Sequence, residues 1–125
     1  MSPDGAAVWF IPDAYLARPA GDDPVYKNHE AICILNTTDA DADIRLDLYF
    51  ADREPVEDVR ITVSAKRCVH VRMDDPAQIG GCVIPFDTPY GVRVRSSVPI
   101  IVQYSRMYAT THNISLMTTM AHAVD

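Results

Sequence analysis

The side chains best suited to chemistry in this sequence are polar residues set among strongly apolar neighbours. They are His29, Glu30, His70, Arg72, Gln103 and Arg106. On a strand, His70 and Arg72 share one face because they are two residues apart, whereas Gln103 and Arg106 reach one face only across a β-bulge. A buried guanidinium without a partner is strongly destabilising. The two arginines are therefore expected either to form ion pairs with nearby carboxylates or to bind an anion or a polar ligand.

A second charged group ends a predicted strand, in the sequence Asp52-Arg53-Glu54-Pro55. Pro55 favours an extended backbone at the residue before it. One interpretation is a solvated turn whose internal salt bridge contributes less than about 1 kcal/mol. The other is a charged rim that contacts a ligand or another subunit. The carboxylates of this group, together with Asp87, are also the expected ion-pair partners of the two arginines.

Motifs for catalysis and metal binding are missing from the sequence. It contains no G-x-G-x-x-G, P-loop, H-E-x-x-H or G-x-S-x-G pattern. His29 and Glu30 are adjacent, so on a strand they point to opposite faces and cannot hold one ion together. The three cysteines never form a C-x-x-C pair, and Cys33 and Cys68 are expected to pack as small core hydrophobes. The sequence therefore predicts no enzymatic activity, no metal and no cofactor.

Length and composition are typical of a globular protein. The 125 residues carry 17 acidic and 11 basic side chains, for a net charge of −6, and 48% of the residues are hydrophobic. This apolar content argues against disorder, and no apolar run approaches the roughly 18–20 residues that span a bilayer. The N-terminus does not resemble a secretory signal, so we expect a single cytoplasmic domain over residues 1–125. The acidic balance disfavours a dedicated nucleic-acid binder, and only the basic stripe at Arg93 and Arg95 keeps DNA binding open.

The elements that position these residues are predicted to be β-strands. Apolar and polar residues alternate over residues 44–50, 59–63, 69–73 and 92–95, which is typical of half-buried strands. Residues 31–35 and 100–102 are apolar on both faces, as in strands covered on both sides by a sheet or by a neighbouring subunit. Residues 7–11 add a short β-prone segment. Residues 113–123 fit a helix or a strand, and strand is favoured.

The connections between these segments are short, and they favour antiparallel pairing. Residues 64–67 and 96–99 are each interpreted as a hairpin link, and no ten-residue helical insert separates the strands. Parallel βαβ units are therefore excluded. The predicted fold class is all-β, an antiparallel two-layer β-sandwich of about seven or eight strands.

Five separated blocks of the sequence resemble the sensory rhodopsin transducer family. The blocks are HEAICILN at 29–36, YFADREPV at 49–56, VSAKRCVHVR at 63–72, IPFDT at 84–88 and VPIIVQYSR at 98–106. They cover about residues 8 to 122 in the family's order. The resemblance implies an all-β subunit in a cyclic homotetramer that binds the cytoplasmic face of a microbial photosensory rhodopsin, with DNA binding as a proposed output. The family fold is also similar to carbohydrate-binding sandwiches, which implies that some members bind a small ligand.

Taken with the residues, this resemblance gives a non-enzymatic signalling and binding protein as the leading hypothesis. The alternatives are a small-molecule or carbohydrate-binding module unrelated to light, and a DNA-binding regulator. Function is expected to concentrate at the six polar residues, with the charged turn at their rim.

Overall fold

The computed structural model describes residues 3–110 and 112–124, and these residues fold into β-strands with a single turn of 3-10 helix. The strands are β1 Ala6–Tyr15, β2 His29–Asn36, β3 Ala42–Phe50, β4 Val56–Val63, β5 Arg67–Arg72, β6 Pro89–Ala109, β7 Ile114–Met120 and β8 His122–Val124, and the 3-10 turn is Pro76–Gln78. All strand pairs are antiparallel. Across the described ranges, no helix is long and apolar enough to cross a membrane.

The strands form two sheets that share β6, the longest strand at 21 residues. In the first sheet the order is β4-β3-β6-β1-β8, and β6 takes part through its N-terminal half. In the second sheet the order is β5-β2-β6-β7, and β6 takes part through its C-terminal half. The prediction of an all-β antiparallel sandwich with about seven or eight strands is confirmed.

Both predicted hairpin links are wrong. Residues 96–99 lie inside β6, at the point where its partners change from the first sheet to the second. Pro99 is tolerated there because it has no partner in either ladder and therefore gives up no interstrand hydrogen bond. Residues 64–67 also make no hairpin, because they connect β4 of the first sheet to β5 of the second. A turn composition predicts a change in the chain's path, but it does not identify the strands that then pair.

A single cluster of buried side chains lies between the two sheets. The first sheet supplies the alternating positions Ile44, Leu46 and Leu48 of β3, and the second supplies Ile32 and Ile34 of β2. Of the apolar run 31–35, residues 31–34 are buried on both faces of their strand as predicted, whereas Leu35 is exposed. This core determines which face of each strand points inward, and therefore on which side of its sheet each polar side chain of a strand lies.

β7 differs from the other strands of the second sheet because all seven of its residues are exposed. The tail of the chain is thus a strand, as favoured from the sequence. Among the strands of the described residues, β7 pairs only with β6, so its other edge is open to them. After Ala121 the chain passes to the first sheet, where β8 pairs with β1.

Candidate functional site

The carboxylate of Glu30 is deeply buried on the inner face of β2. Glu30 lies directly opposite Arg106 of β6, and its side chain is 1% exposed. One carboxylate oxygen accepts hydrogen bonds from the Tyr15 backbone N–H at 2.9 Å and from the Tyr104 hydroxyl, and the other accepts from Arg106 Nε. The Tyr104 hydroxyl also lies 3.4 Å from that of Tyr90. These residues form the Glu30 network, which joins β1, β2 and β6.

Burial dominates the electrostatics of the Glu30 network. Burial raises the pKa of Glu30 above its usual value, although hydrogen bonds from Tyr104 and Arg106 act to lower it. For Arg106 burial alone would lower the pKa, but the bond and charge of Glu30 raise it. Burial, with the neighbouring Tyr90 and Glu30, raises the pKa of Tyr104 far above its usual range. The network therefore keeps Arg106 charged and both tyrosine hydroxyls protonated, which suits positioning rather than proton exchange with solvent.

Arg72 makes a separate ion pair with Asp74. Its Nε and Nη2 each donate to a different oxygen of Asp74, both at 2.8 Å, and Lys27 Nζ lies 3.3 Å from the same carboxylate. Burial alone would raise the pKa of Asp74, but the bonds and charges of Arg72 and Lys27 lower it. The expected partners were wrong, because the register places Glu30 opposite Arg106 and the chain returns Asp74 beside Arg72. Asp87 instead lies 3.8 Å from Arg18.

The structure does not gather the six polar residues into one cluster. Glu30 and Arg106 face inward, whereas His70 and Gln103 flank Cys33 on the outer face of the second sheet. No bulge interrupts β6 between Gln103 and Arg106, so the two residues lie on opposite faces. The remaining two also have outward register positions: His29 lies opposite Met107, and Arg72 lies opposite Ala31.

The turn Asp52-Arg53-Glu54 lies apart from all of these residues, between β3 and β4 of the first sheet. All three side chains are exposed, and Arg53 Nε donates to Asp52 Oδ1 at 3.1 Å. The guanidinium of Arg53 also lies over the ring of Phe50, 5.4 Å from its centroid. The turn is therefore a solvated rim at one end of the first sheet.

The outer face of the second sheet carries an apolar surface that the polar residues alone did not reveal. This apolar face consists of Leu35, Cys68, Ile101, Ile114, Leu116 and Met120, with His70 and Gln103 among them. A shallow depression of about 220 Å³ lies at its centre, between Cys68 and Met120. Cys68 is exposed, so its expected place in the core was wrong, whereas Cys33 is buried. The alternation of apolar residues at 114, 116 and 120 was the signal that could have revealed this face.

Arg93 and Arg95 are ion-paired on the outer face of the first sheet. Both donate to the fully buried carboxylate of Asp47 at 2.9 Å, and Arg95 also reaches Asp58 at 2.8 Å. Burial alone would raise the pKa of Asp47, but bonds from Arg95, the Asp58 backbone N–H and Arg93 lower it to about 2. These contacts favour a structural role for the basic stripe. Sequence reasoning missed Asp47 because the strand alternation marks it as an outward-facing position.

Within residues 3–110 and 112–124, no three His, Cys, Asp or Glu side chains are placed to hold a metal ion. The family comparison is decisive. The model of the family described as "Anabaena sensory rhodopsin transducer" matches residues 4–123. The chain belongs to this family. The match spans β1 to β7, so it includes the apolar face and the Glu30 network.

Two solved structures extend the transducer-family assignment. The crystal structure of Thermotoga maritima 1070 has a TM-score of 0.84 and 34% identity, over 98% of this chain and 97% of that one. The Anabaena sensory rhodopsin transducer has a TM-score of 0.71 and 37% identity, over 80% of this chain and 93% of that one. Among curated proteins, no sequence matches. The transducer-family resemblance deduced from the five sequence blocks is confirmed.

Proposed function

We propose that this transducer-family chain is a non-enzymatic signalling protein that assembles into a homotetramer and binds a membrane sensory rhodopsin at its cytoplasmic face. Family membership supports the partner, since the Anabaena relative is by name a sensory rhodopsin transducer. The observation that carries the assembly is the apolar face with its open strand β7.

The apolar face is expected to be buried in an interface. Leu116 is 69% exposed, and Ile114 and Met120 are each more than half exposed on the same side of β7. Contiguous apolar surface on an open edge strand promotes uncontrolled association unless another surface covers it. A closed ring of identical subunits covers the same face on each copy and leaves none open.

Light scattering on the purified chain tests the assembly. We expect a mass near four times the 13.9 kDa of one subunit. Leu116→Glu places a charge in the apolar face and should shift the mass toward that of the monomer, because burying an unpaired carboxylate is costly. Val83→Glu is the matched control, since Val83 is 75% exposed in the loop before β6 and should leave the mass unchanged.

A monomeric wild-type chain at micromolar concentration would contradict the assembly. The partner is tested separately, by titrating a sensory rhodopsin in lipid nanodiscs with the chain. Failure of the Anabaena rhodopsin and of any rhodopsin encoded with this chain to bind would contradict the signalling role while leaving the assembly intact.

A further inference from the structure

A cleft lies on the opposite side of β7 from the apolar face, between β7 and β1. It has a volume of about 280 Å³, and its walls include Ile11, Pro12, Asp13, Tyr104, Met117 and His122. The cleft exists because β7 belongs to the second sheet while β8 crosses to the first. Met117 and Thr119 lie opposite Arg106 and Tyr104, on the inner side of β7, yet both are exposed. The sandwich is therefore open along this edge.

The walls of the cleft suit a compact apolar group. Ile11 is buried and the ring of Tyr104 is almost fully buried, so the deep part of the cleft is firmly held. Tyr104 directs its hydroxyl away to Glu30, which leaves its ring as the surface that lines the cleft. Met117 adds a flexible, polarisable side chain that adapts to a ligand and packs well against aromatic rings. Small-molecule sites combine apolar walls of this kind with a few polar groups.

Asp13 is the acidic side chain that lines the cleft, and its carboxylate favours a positively charged ligand. Its side chain is 86% exposed at the mouth of the cleft, with His122 also at the mouth. The nearest cation is Arg106, whose Nη2 lies 3.7 Å from Asp13 Oδ1, but Arg106 does not line the cleft and its Nε is bonded to Glu30. Two carboxylates thus share one guanidinium. Of the two, the carboxylate of Asp13 is the one exposed where a ligand would enter.

We propose that this cleft binds a small organic cation, an amine with a compact aromatic or branched alkyl body. The ammonium group lies at the carboxylate of Asp13, and the apolar body packs between Tyr104 and Met117. The volume accommodates a body of one ring with a short side chain, and it lies just below the usual range for drug-sized ligands. The inference does not depend on the proposed assembly, because no residue of the apolar face except Met120 borders the cleft.

Calorimetric titration of the full chain with 2-phenylethylamine tests the proposal. The neutral 2-phenylethanol and the anionic phenylacetate serve as matched probes of similar shape. We expect the amine to bind more tightly than either. Asp13→Asn should weaken the amine about tenfold or more, as expected for the loss of one charge-assisted hydrogen bond, and should leave the alcohol unchanged. Asp39→Asn is the control for net charge, at a loop position where the side chain is 90% exposed and lies 3.1 Å from Lys66 Nζ.

A second variant keeps the test independent of Asp13. Thr119→Trp should fill the cleft and abolish binding, whereas Thr62→Trp, at an exposed strand position of the first sheet, should not. Melting temperatures within a few degrees of wild type establish that both variants fold. Equal binding of the three probes, equal affinity in Asp13→Asn, or no binding of the amine to the wild-type chain would each overturn the proposal.

Discussion

Two arginines that look equivalent in the sequence have different environments, and these determine their effect on stability. Arg106 is the direct partner of the buried Glu30, whereas Arg72 shares Asp74 with Lys27 near the surface. Removing one member of a buried pair leaves an uncompensated charge, which costs about 3–5 kcal/mol. Removing Arg72 leaves Asp74 with a second cation, so the cost there is smaller. The loss of stability on removing an arginine therefore depends more on whether its carboxylate partner has a second cation than on the residue type.

We predict that Arg106→Met lowers the free energy of unfolding by about 3 kcal/mol at pH 8, and Arg72→Met by about 1 kcal/mol. Burial already raises the pKa of Glu30, and loss of Arg106 raises it further. Glu30 then takes up a proton as the pH falls, so the cost of Arg106→Met should be smaller at pH 5. Urea unfolding at both pH values measures this loss of unfolding free energy. The double variant Glu30→Gln/Arg106→Met should recover much of it, because it removes both members of the pair. Equal losses for the two single variants would show that Glu30 does not depend on Arg106.

At the scale of the elements, Asp47 joins three strands of the first sheet. It lies on β3, accepts a backbone bond from Asp58 of β4, and pairs with Arg93 and Arg95 of β6. The left-handed backbone of Asp58, with φ of 60°, marks the irregularity between β3 and β4 that turns its N–H toward this carboxylate. One buried acid thus links three strands on the polar outer face of the first sheet.

We predict that Asp47 contributes to acid unfolding of the chain. Its pKa is about 2 in the folded state against an ordinary value of 3.8. A depressed folded pKa stabilises above the unfolded pKa, and this stabilisation disappears as the pH falls from about 4 through about 2. The difference in unfolding free energy between wild type and Asp47→Asn should therefore be constant from pH 7 to pH 5 and shrink below pH 4. A pH-independent difference for Asp47→Asn would contradict the ion-pair account.

The sequence predicted a strand well where one face of the strand is buried and the other is exposed. β3 and β4 alternate because the core covers one face, so their positions followed from period two. β6 was divided in two because residues 96–99 have the composition of a turn, whereas they mark a change of sheet inside one strand. The alternation of apolar and polar residues depends only on neighbours in the sequence. The change of pairing partner inside β6 depends on strands that are distant in the sequence, so it could not be predicted from that alternation.

The same limit applied to the candidate site. Glu30 and Arg106 were both identified as polar residues in apolar strands, but their pairing depends on a register between segments 76 residues apart. The two-residue spacing of Arg72 and Asp74 was visible in the sequence, and it was the better guide to that pair. Grouping polar residues by chemistry alone merged the two faces of the second sheet. The structure separates them into a buried network and an outer apolar face.

The whole molecule presents two surfaces of different character to any partner. The apolar face has few charges, and in the proposed assembly it forms the contacts between subunits. The rest of the chain is acidic, with a net charge of −6. Cytoplasmic loops of membrane proteins carry an excess of Lys and Arg. The charged turn at residues 52–54 is exposed at the end of the first sheet where β3 connects to β4, whereas the apolar face belongs to the second sheet.

We predict that the affinity of the chain for a sensory rhodopsin in nanodiscs falls as NaCl is raised from about 50 mM to about 500 mM, because salt screens exposed charges. Asp52→Asn/Glu54→Gln should weaken binding about threefold to tenfold at low salt and flatten the salt dependence. The matched control is Asp4→Asn/Asp39→Asn, which removes the same charge near the other end of β3. Because both double variants have the same net charge, only a direct contact at residues 52–54 makes them differ. Equal affinities would move the docking surface elsewhere, and salt-independent binding of the wild-type chain would exclude charge as the basis of recognition.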